Sequence, residues 1–135
     1  MISIHAFLRM NVEYAGQWML KAKSDLKIAE DELKTENPAT DAVCFHCQQV
    51  VEKVFKAFLS FHGIAFEKVH DLEYLKNLCL QKDNSFSKLN IGDLSSYAVT
   101  VRYPDDFYFP SVEEAVGALK TAQLIHAFVA GKIGA

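Results

Sequence analysis

The sequence predicts an all-α fold, an up-and-down bundle of four to five helices, and three observations carry that reading. Apolar residues recur every three or four positions over long stretches of the chain. The breaks between those stretches hold proline, glycine and capping residues, which is the chemistry of helix ends. No credible strand hairpin, internal repeat or low-complexity tract interrupts the series.

The first helix is expected over Asn11–Lys34, with Ala15, Trp18, Met19, Ala22, Leu26, Ala29 and Leu33 on one stripe and Lys21, Lys23, Asp25, Lys27, Glu30 and Asp31 opposite. "TENPAT" stops it, because Pro38 suits a first turn and not a helix interior. A second helix follows over about Ala39–His62 and ends at Gly63. Its stripe is Val43, Cys44, Cys47, Val50, Val51, Val54, Phe55, Phe58 and Leu59, and its polar side carries His46, Gln49 and Lys53. The Cys-x-x-Cys spacing of Cys44 and Cys47 invites a metal or redox reading, yet residues three apart share a helix face and buried cysteine behaves as a small hydrophobe. A structural zinc needs four ligands, no second Cys or His pair stands at comparable spacing, and Cys79 is isolated. Neither metal nor cofactor is therefore expected, and both cysteines are assigned to the core.

The third helix is expected from Asp71, as a cap, to about Gln81, with Leu72, Leu75, Leu78 and Cys79 inward. "KDNSF" is a break. A shorter fourth helix is expected over Ile91–Val101 with Leu94, Ala98 and Val101 on one side, bounded by Pro104 and Pro110. Ser111 opens the last helix with Glu114 three residues on, a capping box, and Val112, Ala115, Val116, Leu119, Ala122, Ile125, Ala127 and Val129 supply much of its apolar surface.

Composition bounds the function. The 135 residues suffice for one compact domain; residues 1–10 read as a leader or extension and 11–135 as the single domain. Half the residues are hydrophobic, 23% are charged and the net charge is -3, which argues against disorder and against nonspecific duplex binding driven by counterion release. Three cysteines give no disulfide framework, and "MISIHAFLRM" has neither a basic start nor a small-residue cleavage site, so a cytoplasmic location is expected. No window approaches the roughly 20 apolar residues of a membrane span, and no membrane partner is expected.

Four pieces, in order, resemble the HEPN domain family from about Trp18 onward: "WMLKAKSDLKIAEDEL", "CFHCQQVVEKVFKAFLSFHG", "HDLEYL" and "RYP" before the last helix. The resemblance implies a helical homodimer, often found beside minimal nucleotidyltransferases in prokaryotic two-component or toxin–antitoxin arrangements. Many members are metal-independent ribonucleases whose arginine is followed, after four to six residues, by a histidine, the pair being doubled at the dimer interface. Arginine can grip a phosphate with two donors, and histidine, with a pKa near ~6.5, can move protons at neutral pH. Here Arg102 matches the arginine, but "YPDDFYFP" follows and the next histidine is His126. Asp105, Asp106 and Tyr108 belong to types that titrate far from neutrality, so the resemblance implies binding more than cleavage.

Arg102, Tyr103 and Tyr108, joined by Gln49, Lys53 and His46 if the second helix faces the last, make the candidate nucleotide site. Alternative readings stand beside it. Arg102 is equally suited to pairing Asp105, Asp106 or Glu114, and the aromatic run Tyr97, Tyr103, Phe107, Tyr108 and Phe109 reads more readily as a dimer seam than as a stacking platform. Lys53 and Lys56 suit a phosphate or a solvated face, and His70 suits a turn-fixing role. The expected function is a nucleotide- or RNA-binding module, dimeric, acting with a nucleotidyltransferase partner. An endoribonuclease with an altered motif and a ligand-free interaction scaffold are its rivals.

Overall fold

A computed structural model of the chain describes residues 2–98 and 108–134. Helix α1 spans Ile4–Leu33 and therefore begins before the predicted Asn11. Ser3 is the reason: its Oγ accepts from the Ala6 N–H at 3.1 Å, which places the cap upstream. Phe7 and Asn11 then lie against the far end of the next helix, so these early turns are tied to the bundle.

Helix α2 spans Thr40–Phe61 and is the central element, packed against α1, the later helices and an irregular turn. Its predicted stripe is wholly interior: Val43, Cys44, Cys47, Val50, Val51, Val54, Phe55 and Leu59 have no exposed surface. The Glu32 carboxylate accepts from the Ala39 N–H at 2.9 Å, which fixes the turn between α1 and α2 where no side chain caps the helix start. Gly63 ends α2 at φ +67°, and the Ile64 N–H reaches back to the Leu59 carbonyl at 2.8 Å.

Helix α3 spans Leu72–Lys82, capped as expected by Asp71, whose Oδ1 accepts from the Glu73 and Tyr74 N–H groups. The "KDNSF" break is a 3₁₀ turn over Asn84–Lys88. It inserts Phe86 into the core, 4.5 Å from the Phe58 ring and 5.2 Å from that of Phe128. Where a helix was expected over Ile91–Val101, the described part is a 3₁₀ turn at Leu94–Ala98. Gly92 at φ +53° accounts for the difference: its left-handed backbone, held by its N–H to Asn90 Oδ1, cannot continue an α-helix from Ile91. Residues 99–101 of that expected helix lie outside the described residues.

Helix α4 spans Val112–Ile133. Ser111 Oγ accepts from the Glu114 N–H at 3.0 Å, as the capping box requires, and Gly134 at φ +72° closes the other end. The described elements thus form an all-α bundle, as predicted, with α2 at its centre.

Candidate functional site

Arg102 and Tyr103 lie outside the described residues, as do Asp105, Asp106 and Phe107. The two ends of the segment that carries them are described, and they meet. Tyr97, from the last turn before the segment, and Tyr108, just after it, both donate their hydroxyls to the Glu114 carboxylate in the first turn of α4. One carboxylate therefore clamps both ends of the segment. The hydrogen bonds from Tyr108 and Tyr97 hold the Glu114 carboxyl below its usual range, reinforced by the Ser111 backbone N–H. Burial, followed by the bond to Glu114, pushes the Tyr97 phenol up. Upstream, the Leu72 N–H donates to Ser95 Oγ at 3.1 Å, which ties the 3₁₀ turn to the start of α3. Tyr108 and Phe109 are both more than half exposed, so aromatic surface is offered beside the clamp.

The polar strip predicted on α2 is divided between two other carboxylates. His46 Nδ1 lies 2.8 Å from Asp25 Oδ1, and Lys53 Nζ lies 2.5 Å from Asp25 Oδ2. Asp25 is itself buried on α1, so these contacts join α1 to α2 across their interface. Gln49 turns instead toward Gln48 and the buried Glu52. His46, Gln49 and Lys53 thus bond to Asp25 and to the Gln48–Glu52 set, whereas Tyr108 bonds to Glu114, so the structure does not bring these predicted residues together.

Glu52 is the centre of the third set. Its carboxylate takes Lys56 Nζ at 2.9 Å, His70 Nδ1 at 2.9 Å and Gln48 Nε2 at 3.1 Å, while the same Gln48 amide donates to the His70 carbonyl. Burial would raise the Glu52 carboxyl, but the bonds from Lys56, His70 and Gln48 prevail and hold it below the ordinary value. Lys56 is not a solvated face residue: it is buried, with its ammonium 5.3 Å from the Trp18 ring and 6.0 Å from that of Phe66. His70 is fixed from α2, by the buried Glu52 carboxylate on its ring and the Gln48 amide on its carbonyl, a structural role built differently from the one expected.

Three participants escaped the sequence reading: Asp25, Gln48 and Glu52. The signals were present in part. Asp25, assigned above to the polar side of α1, is buried instead, and its place three residues after Ala22 and four before Ala29 is the spacing of the apolar stripe; Glu52 stands four residues from both Gln48 and Lys56.

Cys44 and Cys47 are core residues, as the stripe predicted. Burial, followed by the nearby Glu114 charge, raises the Cys44 thiol to about 11, and burial with the Cys44 neighbour raises Cys47 to about 12. Thiols held protonated in this way are poor ligands and poor nucleophiles. Among the described residues no group of three or more His, Cys, Asp or Glu side chains is placed to hold a metal ion. No helix among them is long and apolar enough to cross a membrane.

Comparison with known proteins agrees with the resemblance read from the motifs. A family model described as the HEPN domain matches residues 15–132. The Methanocaldococcus jannaschii protein named "Putative toxin MJ1304" is 33% identical over 106 residues, which cover 73% of this chain and 68% of that protein. No solved structure matches the chain.

Proposed function

Because the chain belongs to the HEPN domain family, we propose that it is a nucleotide- or RNA-binding module of the toxin-related kind, with Arg102 holding a phosphate of the ligand. The observation that carries this reading is the Glu114 clamp. Two tyrosines from opposite ends of the Arg102 segment share one carboxylate at the start of α4. A segment whose two ends are already held has less conformational entropy to lose when a ligand binds. A guanidinium offers two donors to a phosphate, and Tyr103 with the exposed Tyr108 supplies rings on which a base can stack.

His46, Gln49 and Lys53 take a supporting part. Their hydrogen bonds are already made to Asp25 and to the Glu52 set, so they would reach a ligand only by leaving those partners. Substituting them is expected to act on stability before it acts on binding. The module acts as a homodimer, with a nucleotidyltransferase as its partner protein; family membership and the toxin designation in the archaeal relative's name support that setting.

The test is a titration of the purified protein with ATP, GTP and a short single-stranded RNA, for wild type and Arg102→Ala, following binding and RNA integrity together. Binding without cleavage that weakens in Arg102→Ala is the expected result. Arg102-dependent cleavage would instead assign an endoribonuclease whose missing histidine has been replaced. Absence of binding to all three would leave an interaction scaffold.

A further inference from the structure

Between α1 and α4 lies a groove of about 880 Å³, a volume within the roughly 300–1,000 Å³ of small-molecule sites. One end of it is polar. There the Gln123 amide on α4 donates to the Glu30 carboxylate on α1 at 2.8 Å, and His126, one turn further along α4, lies within reach of the charges of both Glu30 and Lys23. Toward Gly16 the walls turn apolar, with Met19 and Leu20 on α1 and Ala130 on α4.

The charges at the polar end are unequally committed. Lys27 is held by Asp31 at 2.5 Å, and Glu30 accepts the Gln123 amide. Lys23, which also lines the groove, has no ion-pair partner among the described residues. Opposite it, His126 is half-buried. Burial holds the imidazole below its ordinary value, with Glu30 opposing and Lys23 reinforcing, so at neutral pH the ring is uncharged and offers one N–H donor. An unmatched ammonium beside a neutral N–H, at the head of an apolar channel, suits an anion that carries a hydrocarbon chain.

We propose that the α1–α4 groove binds a medium-chain carboxylate, with its carboxylate held between Lys23 and His126 and its chain running toward Gly16. Lys23 and Gly16 are seven residues apart on α1, about 10 Å at the helical rise of about 1.5 Å per residue, which the chain of an acid of about eight to ten carbons spans. Gly16 keeps the far end open. A Cβ built there meets nothing within 4 Å, so no contact inside the chain requires glycine, and glycine inside a helix is unfavourable relative to alanine. An open channel end gives it a use. The site is separate from the Arg102 segment: His126 is twelve residues along α4 from Glu114, about 18 Å at the same rise of about 1.5 Å per residue.

The experiment is isothermal titration calorimetry of the full chain with decanoate, butanoate and the uncharged decan-1-ol, each below its solubility or micelle limit, with amide chemical shifts locating the bound molecule. Decanoate is expected to bind one per chain with a Kd below about 1 mM, as the efficiency of small ligands allows. Each fully buried methylene adds up to about fourfold, so butanoate, six methylenes shorter, should bind at least about 50-fold more weakly. Lys23→Gln should weaken decanoate by about 10-fold or more and leave decan-1-ol unchanged, because only a charge-assisted bond is lost. Gly16→Leu narrows the channel where the chain ends and should weaken decanoate and decan-1-ol alike. Both variants should keep wild-type helical circular dichroism, since Lys23 is exposed and open space surrounds the Gly16 Cβ. Lys21→Gln, exposed and outside the groove, is the control and should bind as wild type does. Decanoate binding that does not saturate, or shifts centred away from the α1–α4 groove, would overturn the site. So would a Lys23→Gln variant that binds decanoate normally, a Gly16→Leu variant that does, or a Lys21→Gln variant weakened as much as Lys23→Gln.

Discussion

Replacing Glu52 by glutamine keeps the shape of the side chain and removes the one charge around which Lys56, His70 and Gln48 are arranged. The largest effect falls on Lys56, whose side chain is 8% exposed and whose ammonium would be left in the interior with the Trp18 and Phe66 rings as its remaining stabilising contacts. Stranding one partner of a buried pair costs about 3–5 kcal/mol, and the two ring contacts offset part of that, so Glu52→Gln should destabilise by about 3 kcal/mol. Lys56→Met preserves most of the buried stem and leaves Glu52 its bonds to His70 and Gln48, so about 1–2 kcal/mol is expected. The double variant removes the charge problem altogether and should cost about 2 kcal/mol less than the sum of the singles. Urea unfolding followed by circular dichroism at neutral pH measures all three. A single-variant loss below about 1 kcal/mol for Glu52→Gln, or strict additivity in the cycle, would refute the argument that the carboxylate is a buried structural hub. The pH dependence has a definite sign. The Glu52 carboxyl lies below its ordinary value in the folded state, so its contribution is complete above the unfolded value near about 4.3 and is lost as pH falls through the folded value. Glu52→Gln should remove that acid-side component from the stability profile.

Gly63→Ala should destabilise by about 2 kcal/mol in the same unfolding assay, since a side chain at φ +67° is strained and its Cβ would stand 3.0 Å from Asn11 Nδ2. Tyr97→Phe should cost about 1 kcal/mol for the lost bond to Glu114. Because the Tyr97 phenol is raised in the folded state, the wild type should also lose stability as pH rises above about 10, and the variant should lose less. Native protein at mildly alkaline pH should react with a thiol-specific disulfide reagent only at the rate of unfolding, because Cys44, Cys47 and Cys79 are buried and protonated; rapid labelling of Cys44 or Cys47 would contradict their place in the core.

Much of the bundle was legible because its elements obey single-helix rules. The α2 stripe, the assignment of Cys44 and Cys47 to it, and the Asp71 and Ser111 caps all follow from spacing within one element. Failures came where a second element decides. Lys56 looks like a surface residue on a helical wheel, and only the approach of Trp18, Phe66 and His70 from other segments makes it interior. His46 and Lys53 look like an open polar strip until Asp25 arrives from α1. The Ile91 helix failed for a local reason, the left-handed Gly92, which apolar periodicity does not register. At the candidate site, the sequence pointed to Arg102 and its aromatic neighbours, but the meeting of Tyr97 and Tyr108 at Glu114 joins residues seventeen and six positions apart from it and has no periodic signature.

The central claim, that Arg102 holds a phosphate, is tested most directly by the salt dependence of single-stranded RNA affinity for wild type and Arg102→Ala. Each phosphate contact on a single strand contributes about 0.7 to the slope of log affinity against log salt. The account predicts weaker binding by Arg102→Ala at low salt and a slope shallower by about that amount. Parallel salt curves of equal affinity would contradict it and take the phosphate contact away from Arg102.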